Sequence, residues 1–256
     1  MTRFTLLIAA VLLAVPGNGQ VNDDAKTYLN QGVQAFKNQG FSEAVGFFQK
    51  AVDIDPNSKT AHLYLATAYQ GQYIPGVESP DNVRLAETAL SEYKTVFSLD
   101  PRDENAAASL AKLCFDQKKL DEARDWNSKV IAINPKRKEA YYFLGVIAWT
   151  QWFARDREAR KALSMRPEDL GPLTLQSLSE ELKPKYLPML DEGIASMAKA
   201  LELDKEYDDA MAYMNLLIRY RADLLDTPQA YKEQIDVAND WVQKALATKK
   251  KKSERP

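Results

Sequence analysis

Residues that could do covalent or acid–base chemistry are few in this chain, and none is spaced to work with another. His62 is the only histidine and Cys114 the only cysteine. A zinc site or a histidine-based triad needs a second histidine, or a thiol close by, and neither is present. Carboxylates are plentiful, yet no pair stands in an apolar stretch that would suit acid–base work. The phosphate-cradling patterns G-x-G-x-x-G and G-x-x-x-x-G-K-[ST] are both missing. The expectation is a protein that is not an enzyme, carries no metal and uses no cofactor. What the chain has instead is rings: 4 Trp, 12 Tyr and 9 Phe. Trp126, Trp149, Trp152 and Trp241 fall on helical faces, where an indole packs more often than it serves a ligand.

The elements that must position these rings are legible in residues 28–56, YLNQGVQAFKNQGFSEAVGFFQKAVDIDP. Tyr28, Gly32, Ala35 and Phe36 mark one face of a 3.6-residue helix. Gly40 breaks it, and Ser42 is placed to cap the next helix. A second apolar face follows at Phe41, Ala44, Phe48, Ala51 and Val52, and Pro56 stops it. Gly32 and Ala44 are small where two antiparallel helices must approach, and Phe48 fills the gap beside them. This order of residues resembles the tetratricopeptide repeat, a two-helix unit of about 34 residues.

The same frame recurs along the chain. The small position returns as Ala66, Ala111 and Gly145, and the closing proline as Pro101 and Pro135. The second-helix pair is Ala89 and Tyr93 in repeat two. In repeat three it is Ala123, with Asn127 in place of the aromatic. Repeat four starts at Tyr141–Leu144–Gly145 and finishes at Gly193–Met197–Ala200, with Lys205 where proline is expected. Repeat five runs from near Met211 to Ala238–Val242–Ala245. Second helices end on IDP, LDP, INP and LDK. The fold expected is all-α: a right-handed α-solenoid of antiparallel helix pairs, about five repeats, with long inserts in repeats two and four.

Repeat two carries about eleven extra residues between its helices, including Gly71, Pro75, Gly76 and Ser79–Pro80, and the loop QGQYIPGVE ahead of Ser79 is expected to be ordered by Tyr73 and Ile74. Ser79 and Pro80 then start the second helix as N-cap and first helical residue. Repeat four carries a larger insert, at about 149–184. Its first helix is expected to run on through ARDREARKALSM until Pro167, with Gly171–Pro172 turning the chain and a short helix over 173–182. Arg155, Arg157, Arg160, Lys161 and Arg166 alternate there with Asp156 and Glu158, the pattern of a solvated helix face.

In repeat five the close-packed position holds Asn215, an amide expected to be buried and to tie the irregular insert to the repeat body. The run NLL-x-R-x-R-A-D-L and the WTQ-containing insert resemble a group of exported bacterial tetratricopeptide proteins, a resemblance that supplies no activity.

The two ends stand apart from the repeats. Arg3, the apolar run 4–15 and Pro16–Gly19 have the three-part layout of a signal peptide, so 1–19 is expected to be cut ahead of Gln20. That places the mature chain in the periplasm or outside the cell, with no integral membrane segment, since a run of twelve residues falls short of the ~20 a span needs. The repeat domain would cover 20–247, and the basic tail 248–256 is expected to be disordered. A net charge of −2 gives no sign of a nucleic-acid partner.

The family resemblance implies that first helices line a concave face where partners bind. In this register the face carries Asn30, Val33, Phe36 and Lys37 in repeat one and Tyr64, Thr67 and Gln70 in repeat two. Lys112 and Phe115 follow in repeat three, and Tyr142, Val146 and Trp149 in repeat four. Repeat five adds Tyr213, Leu216, Arg219 and Tyr220. Rings with a few cations between them suit an extended peptide or a partner helix. The expected function is a non-enzymatic protein-interaction scaffold of the bacterial envelope; the alternative is a glycan-binding module using the same rings.

Overall fold

Glycine against a large side chain sets the pairing of helices, and it does so in the register the sequence implies. A Cβ on Gly32 would lie 2.4 Å from the Phe48 ring, and one on Gly145 would lie 2.5 Å from Met197. Only glycine admits that approach. The structure, a computed structural model, describes the backbone of residues 18–166 and 176–255 and the side chains of 23–166 and 180–255. The described residues form ten helices and no strand. The chain divides into two compact units, Met1–Leu99 and Asp100–Pro256.

The N-terminal unit holds repeats one and two, as α1 (Asn18–Lys37), α2 (Phe41–Ile54), α3 (Lys59–Gln72) and α4 (Pro80–Leu99). The C-terminal unit holds repeats three to five, as α5 (Glu104–Asp116), α6 (Leu120–Ile133), α7 (Lys138–Ala162), α8 (Gln176–Leu203), α9 (Asp208–Ala222) and α10 (Pro228–Ser253). A cut ahead of Gln20 would fall in the first turn of α1; the rest of the expected signal segment, 1–17, lies outside the described residues.

Two local motifs repeat. At each boundary between repeats an Asx turn closes the chain: Asp55, Asp100, Asn134 and Asp204 each accept from the amide two residues on, at 3.2, 3.1, 3.0 and 2.9 Å. That is why Asp or Asn precedes the Pro or Lys each time. Three of the first helices, α1, α5 and α7, end with a left-handed residue and a 6→1 hydrogen bond. Gly40 N donates to Ala35 O, Lys119 N to Cys114 O and Met165 N to Arg160 O, all at 2.9 Å. The left-handed residues are Gln39, Lys118 and Ser164, with φ of 61°, 60° and 56°.

Several expectations are corrected here. Gly40, not Ser42, occupies the N-cap of α2, and the Ser42 hydroxyl donates to Gln72 Oε1 instead. α7 ends at Ala162 on its own left-handed turn, before Pro167. The short helix expected at 173–182 is the start of α8, which continues to Leu203 through Pro184 and Pro188. Those prolines are four apart on an exposed stripe, where water can serve the carbonyls they leave without a donor. Residues 167–175, including the expected Gly171–Pro172 turn, lie outside the described residues. The tail expected to be disordered is helical to Ser253. Lys251 and Arg255 pair with Glu206, at 2.9 and 2.7 Å, and Lys252 pairs with Asp208, which draws the end of α10 onto the start of α9.

Among the described residues, each insert has a buried polar anchor. In repeat two, buried Asn82 accepts from Ile74 N at 2.8 Å and donates to Ile74 O and Val77 O at 2.8 and 2.7 Å. The Ile74 side chain is exposed, so that loop is ordered by the amide rather than by apolar contact at Ile74. In repeat four, Arg160 is buried with Asp156 and Asp223. Its Nε donates to both Asp156 oxygens, at 3.0 and 2.9 Å, and a terminal nitrogen donates to Asp223 Oδ2 at 2.7 Å. The solvated-face reading holds for Arg157, Glu158, Lys161 and Arg166, which are exposed. It fails for Asp156 and Arg160, which continue the inward stripe of Trp152 at i+4 and i+8. Trp152 is itself fully buried.

Candidate functional site

In the C-terminal unit the first helices of three successive repeats bring a chain of rings together. Phe115 on α5 meets Phe143 on α7 at 5.7 Å, and Phe143 meets Tyr142 at 5.5 Å. Tyr142 contacts Tyr207 at 5.1 Å and Tyr213 of α9 at 5.6 Å. Tyr213 then meets Trp149 at 5.4 Å, Trp149 stacks on Phe153 at 5.0 Å, and Phe153 reaches Tyr220 at 6.2 Å. Every one of these rings is partly buried: seated on the unit, with some surface open to solvent. α7 supplies Tyr142, Trp149 and Phe153, and α9 supplies Tyr213 and Tyr220. These are helical spacings of four and seven, which keep each set on one face.

The chemistry of this face is that of neutral hydroxyls and aromatic edges. Burial, then the neighbouring Tyr213, Asp209 and Tyr207, pushes the Tyr142 phenol well above its ordinary value. Burial, followed by nearby carboxylates led by Glu139, raises Tyr207 to about 12. Tyr213 and Tyr220 also rise, chiefly through burial. All four therefore stay protonated at neutral pH, able to donate and accept hydrogen bonds. No group of three His, Cys, Asp or Glu side chains suited to a metal occurs among the described residues.

Of the residues expected on this face, Phe115, Tyr142, Trp149, Tyr213 and Tyr220 join the ladder, and Leu216 is partly buried on the same side of α9. Lys112 is exposed and held by Asp116 at 2.6 Å. Val146 is buried and belongs to the core. Arg219 turns away: it donates to Asn215 Oδ1 on its own helix at 2.7 Å and to Asn239 on α10. Asn215, expected to be buried, is only partly so, and its bond is to Arg219 rather than to the insert. Register reasoning missed Phe143, Phe153 and Tyr207. Phe153 was within reach, four residues after Trp149 on a helix already expected to continue. Tyr207 sits in the turn before α9, where helical periodicity has no hold.

The N-terminal unit places its candidates differently. Asn30 and Lys37 are exposed, Val33 and Phe36 pack on the local core, and Tyr64 is 37% exposed beside Phe48, with ring centres 5.4 Å apart. Thr67 and Gln70 are committed inward, since Tyr93 OH donates to Gln70 Oε1 at 2.7 Å and lies 3.2 Å from the Thr67 hydroxyl. His62 is buried, with its ring nitrogens 2.5 Å from Glu92 and 2.9 Å from Pro56 O, which gives it a structural role.

Comparison with known proteins agrees with this architecture. Residues 85–147 match the family model described as Tetratricopeptide repeat. A crystal structure of a MamA protein is similar at 18% identity, covering 91% of this chain and 96% of that one, with a TM-score of 0.60. MamA from Desulfovibrio magneticus RS-1 (residues 41 to the end) is similar at 17% identity, covering 91% and 98%, also with a TM-score of 0.60. YrrB, described as a TPR protein with an unusual peptide-binding site, is similar at 16% identity, covering 91% and 95%, with a TM-score of 0.56. No curated protein matches the chain by sequence. The described residues have the fold of tetratricopeptide-repeat proteins.

Proposed function

We propose that the protein is a non-enzymatic scaffold of the bacterial cell envelope that binds a peptide or partner protein on the first-helix face of its C-terminal unit. The observation that carries this is the continuous, partly exposed ladder of rings across α5, α7 and α9. Large rigid rings give binding area at small entropic cost, and phenols satisfy the polar groups of a peptide backbone. A glycan site needs open ring faces for sugars to stack on. Here many ring contacts are edge-to-face or stacked against each other, which favours protein over sugar. The envelope location rests on the signal-peptide layout of residues 1–19, and no described helix is long and apolar enough to cross a membrane.

In-cell crosslinking followed by mass spectrometry, on the full chain and on variants Tyr142→Ala and Trp149→Ala, tests the binding face. The expected result is loss of crosslinked partner with helicity by circular dichroism intact. Equal loss of both would make the rings packing residues and end this reading. N-terminal sequencing of the mature protein should find Gln20 first; a membrane-bound product starting at Met1 would refute the envelope export proposed here.

A further inference from the structure

The two ends of the ring ladder carry opposite uncommitted charges. Asp209 lies one turn before Tyr213 on α9 and acts on the phenols of Tyr142, Tyr207 and Tyr213. Its carboxylate neighbours are occupied: Asp204 by Lys138, Glu139 by Arg137 and Asp208 by Lys252. Asp209 is exposed and forms no ion pair among the described residues; the cation that feels its charge, Lys252, is paired with Asp208. At the other end Arg155 is held by Glu158 and Glu181, and Arg160 by Asp156 and Asp223. Arg157 is exposed, and its guanidinium lies over the Phe153 ring at 5.7 Å with no carboxylate partner among the described residues. From Tyr142 to Arg157 the face is about 22 Å long at 1.5 Å per helical residue. An extended peptide covers that in roughly seven residues.

We propose that this face binds an extended peptide of about seven residues with a cationic side chain at the Asp209 end, an anionic one at the Arg157 end, and aliphatic or aromatic residues between. This rests on the protein-binding reading above and adds the charge order to it. Exposed charges contribute little raw affinity and mainly fix register and choice of partner. A peptide with like charge at either end meets repulsion there, so the ladder selects against doubly basic and doubly acidic segments.

The probes are four end-blocked heptapeptides sharing the centre Leu-Pro-Phe-Pro-Leu, with end pairs Lys/Glu, Lys/Lys, Glu/Glu and Gln/Gln, titrated calorimetrically into the full chain at low salt. The Lys/Glu peptide should bind tightest, and each mismatched end should weaken binding about two- to fivefold, an effect lost at about 0.5 M salt. Asp209→Asn should erase the penalty of the Glu/Glu peptide, and Arg157→Gln that of the Lys/Lys peptide. Both residues are exposed, so both variants should fold. Equal binding of all four peptides, still abolished by Trp149→Ala, overturns the charge order and leaves the binding face standing. Failure of all four to bind overturns both.

Discussion

The two inserts of this chain solve one problem with opposite chemistry. Each interrupts a helix pair, and each needs a buried polar anchor to hold irregular backbone. In repeat two the anchor is a neutral amide: Asn82 satisfies one N–H and two carbonyls and leaves no charge to desolvate. In repeat four it is ionic, with one guanidinium between two carboxylates, all three buried. A buried charge is tolerable only while its partners remain. The amide anchor should therefore be modest and indifferent to pH, and the ionic anchor brittle and pH-dependent.

The largest effect expected is from Arg160→Ala, which leaves Asp156 and Asp223 buried without their cation. Destabilisation of about 3–5 kcal/mol should follow, measured by chemical denaturation at pH 7.5. A loss under about 1 kcal/mol would mean that solvent reaches the site and that the contrast between anchors is false. Asn82→Ala comes next, at about 1–3 kcal/mol for the backbone groups left unpaired. Hydrogen exchange should quicken at Ile74, whose N–H loses its acceptor, while α7 stays protected.

The ionic anchor also sets a pH dependence. Burial raises the Asp223 carboxyl from 3.8 to about 7, against the attraction of Arg160 and Arg219 and with help from the Asp156 charge. Burial raises Asp156 as well. One guanidinium balances one carboxylate, so the second holds its proton more readily when folded. Between the ordinary carboxylate range and pH 7 the folded chain keeps a proton that the unfolded chain has released. Stability should thus rise as pH falls from 8 to 5, by about 2–3 kcal/mol, and level off only below about pH 4, where the unfolded chain takes up the same proton. Asp223→Asn should flatten that profile in thermal melts. An unchanged slope would assign the dependence to other groups, whereas Asn82→Ala should leave it as it is.

Much of the fold was legible because it rests on periodic residues. The Gly32–Phe48 and Gly145–Met197 contacts follow from small and large positions repeating at one interval, and such a pattern survives the insertion of a loop. Helix ends were harder. Gln39, Lys118 and Ser164 adopt left-handed backbone with side chains that carry no preference for it, so nothing local marks them. The ring face was legible where the register holds and lost at Tyr207, in a turn. The ionic anchor stayed hidden because alternating charge reads as a solvated face; only Trp152 four residues before Asp156 shows that the stripe points inward.

The smallest effect expected is from Asn215→Ala, and it bears most directly on how anchors are chosen. Asn215 stands at the small position of repeat five, where its amide was the natural candidate to hold the insert. The part is played in repeat two by Asn82 and in repeat four by Arg160. The difference lies in the facing residue. Gly32 and Gly145 sit under Phe48 and Met197, whereas the matching partner of Asn215 in the register is the smaller Val242. That leaves room for an amide at a partly open position, where it accepts one hydrogen bond from Arg219. Arg219 keeps its second bond, to Asn239, when the amide is removed. Truncation should cost no more than about 0.5 kcal/mol, as at other open sites, with exchange in the repeat-four insert unchanged. A loss as large as that of Asn82→Ala, with faster exchange in that insert, would show that Asn215 anchors it after all and that the two inserts are held by the same chemistry.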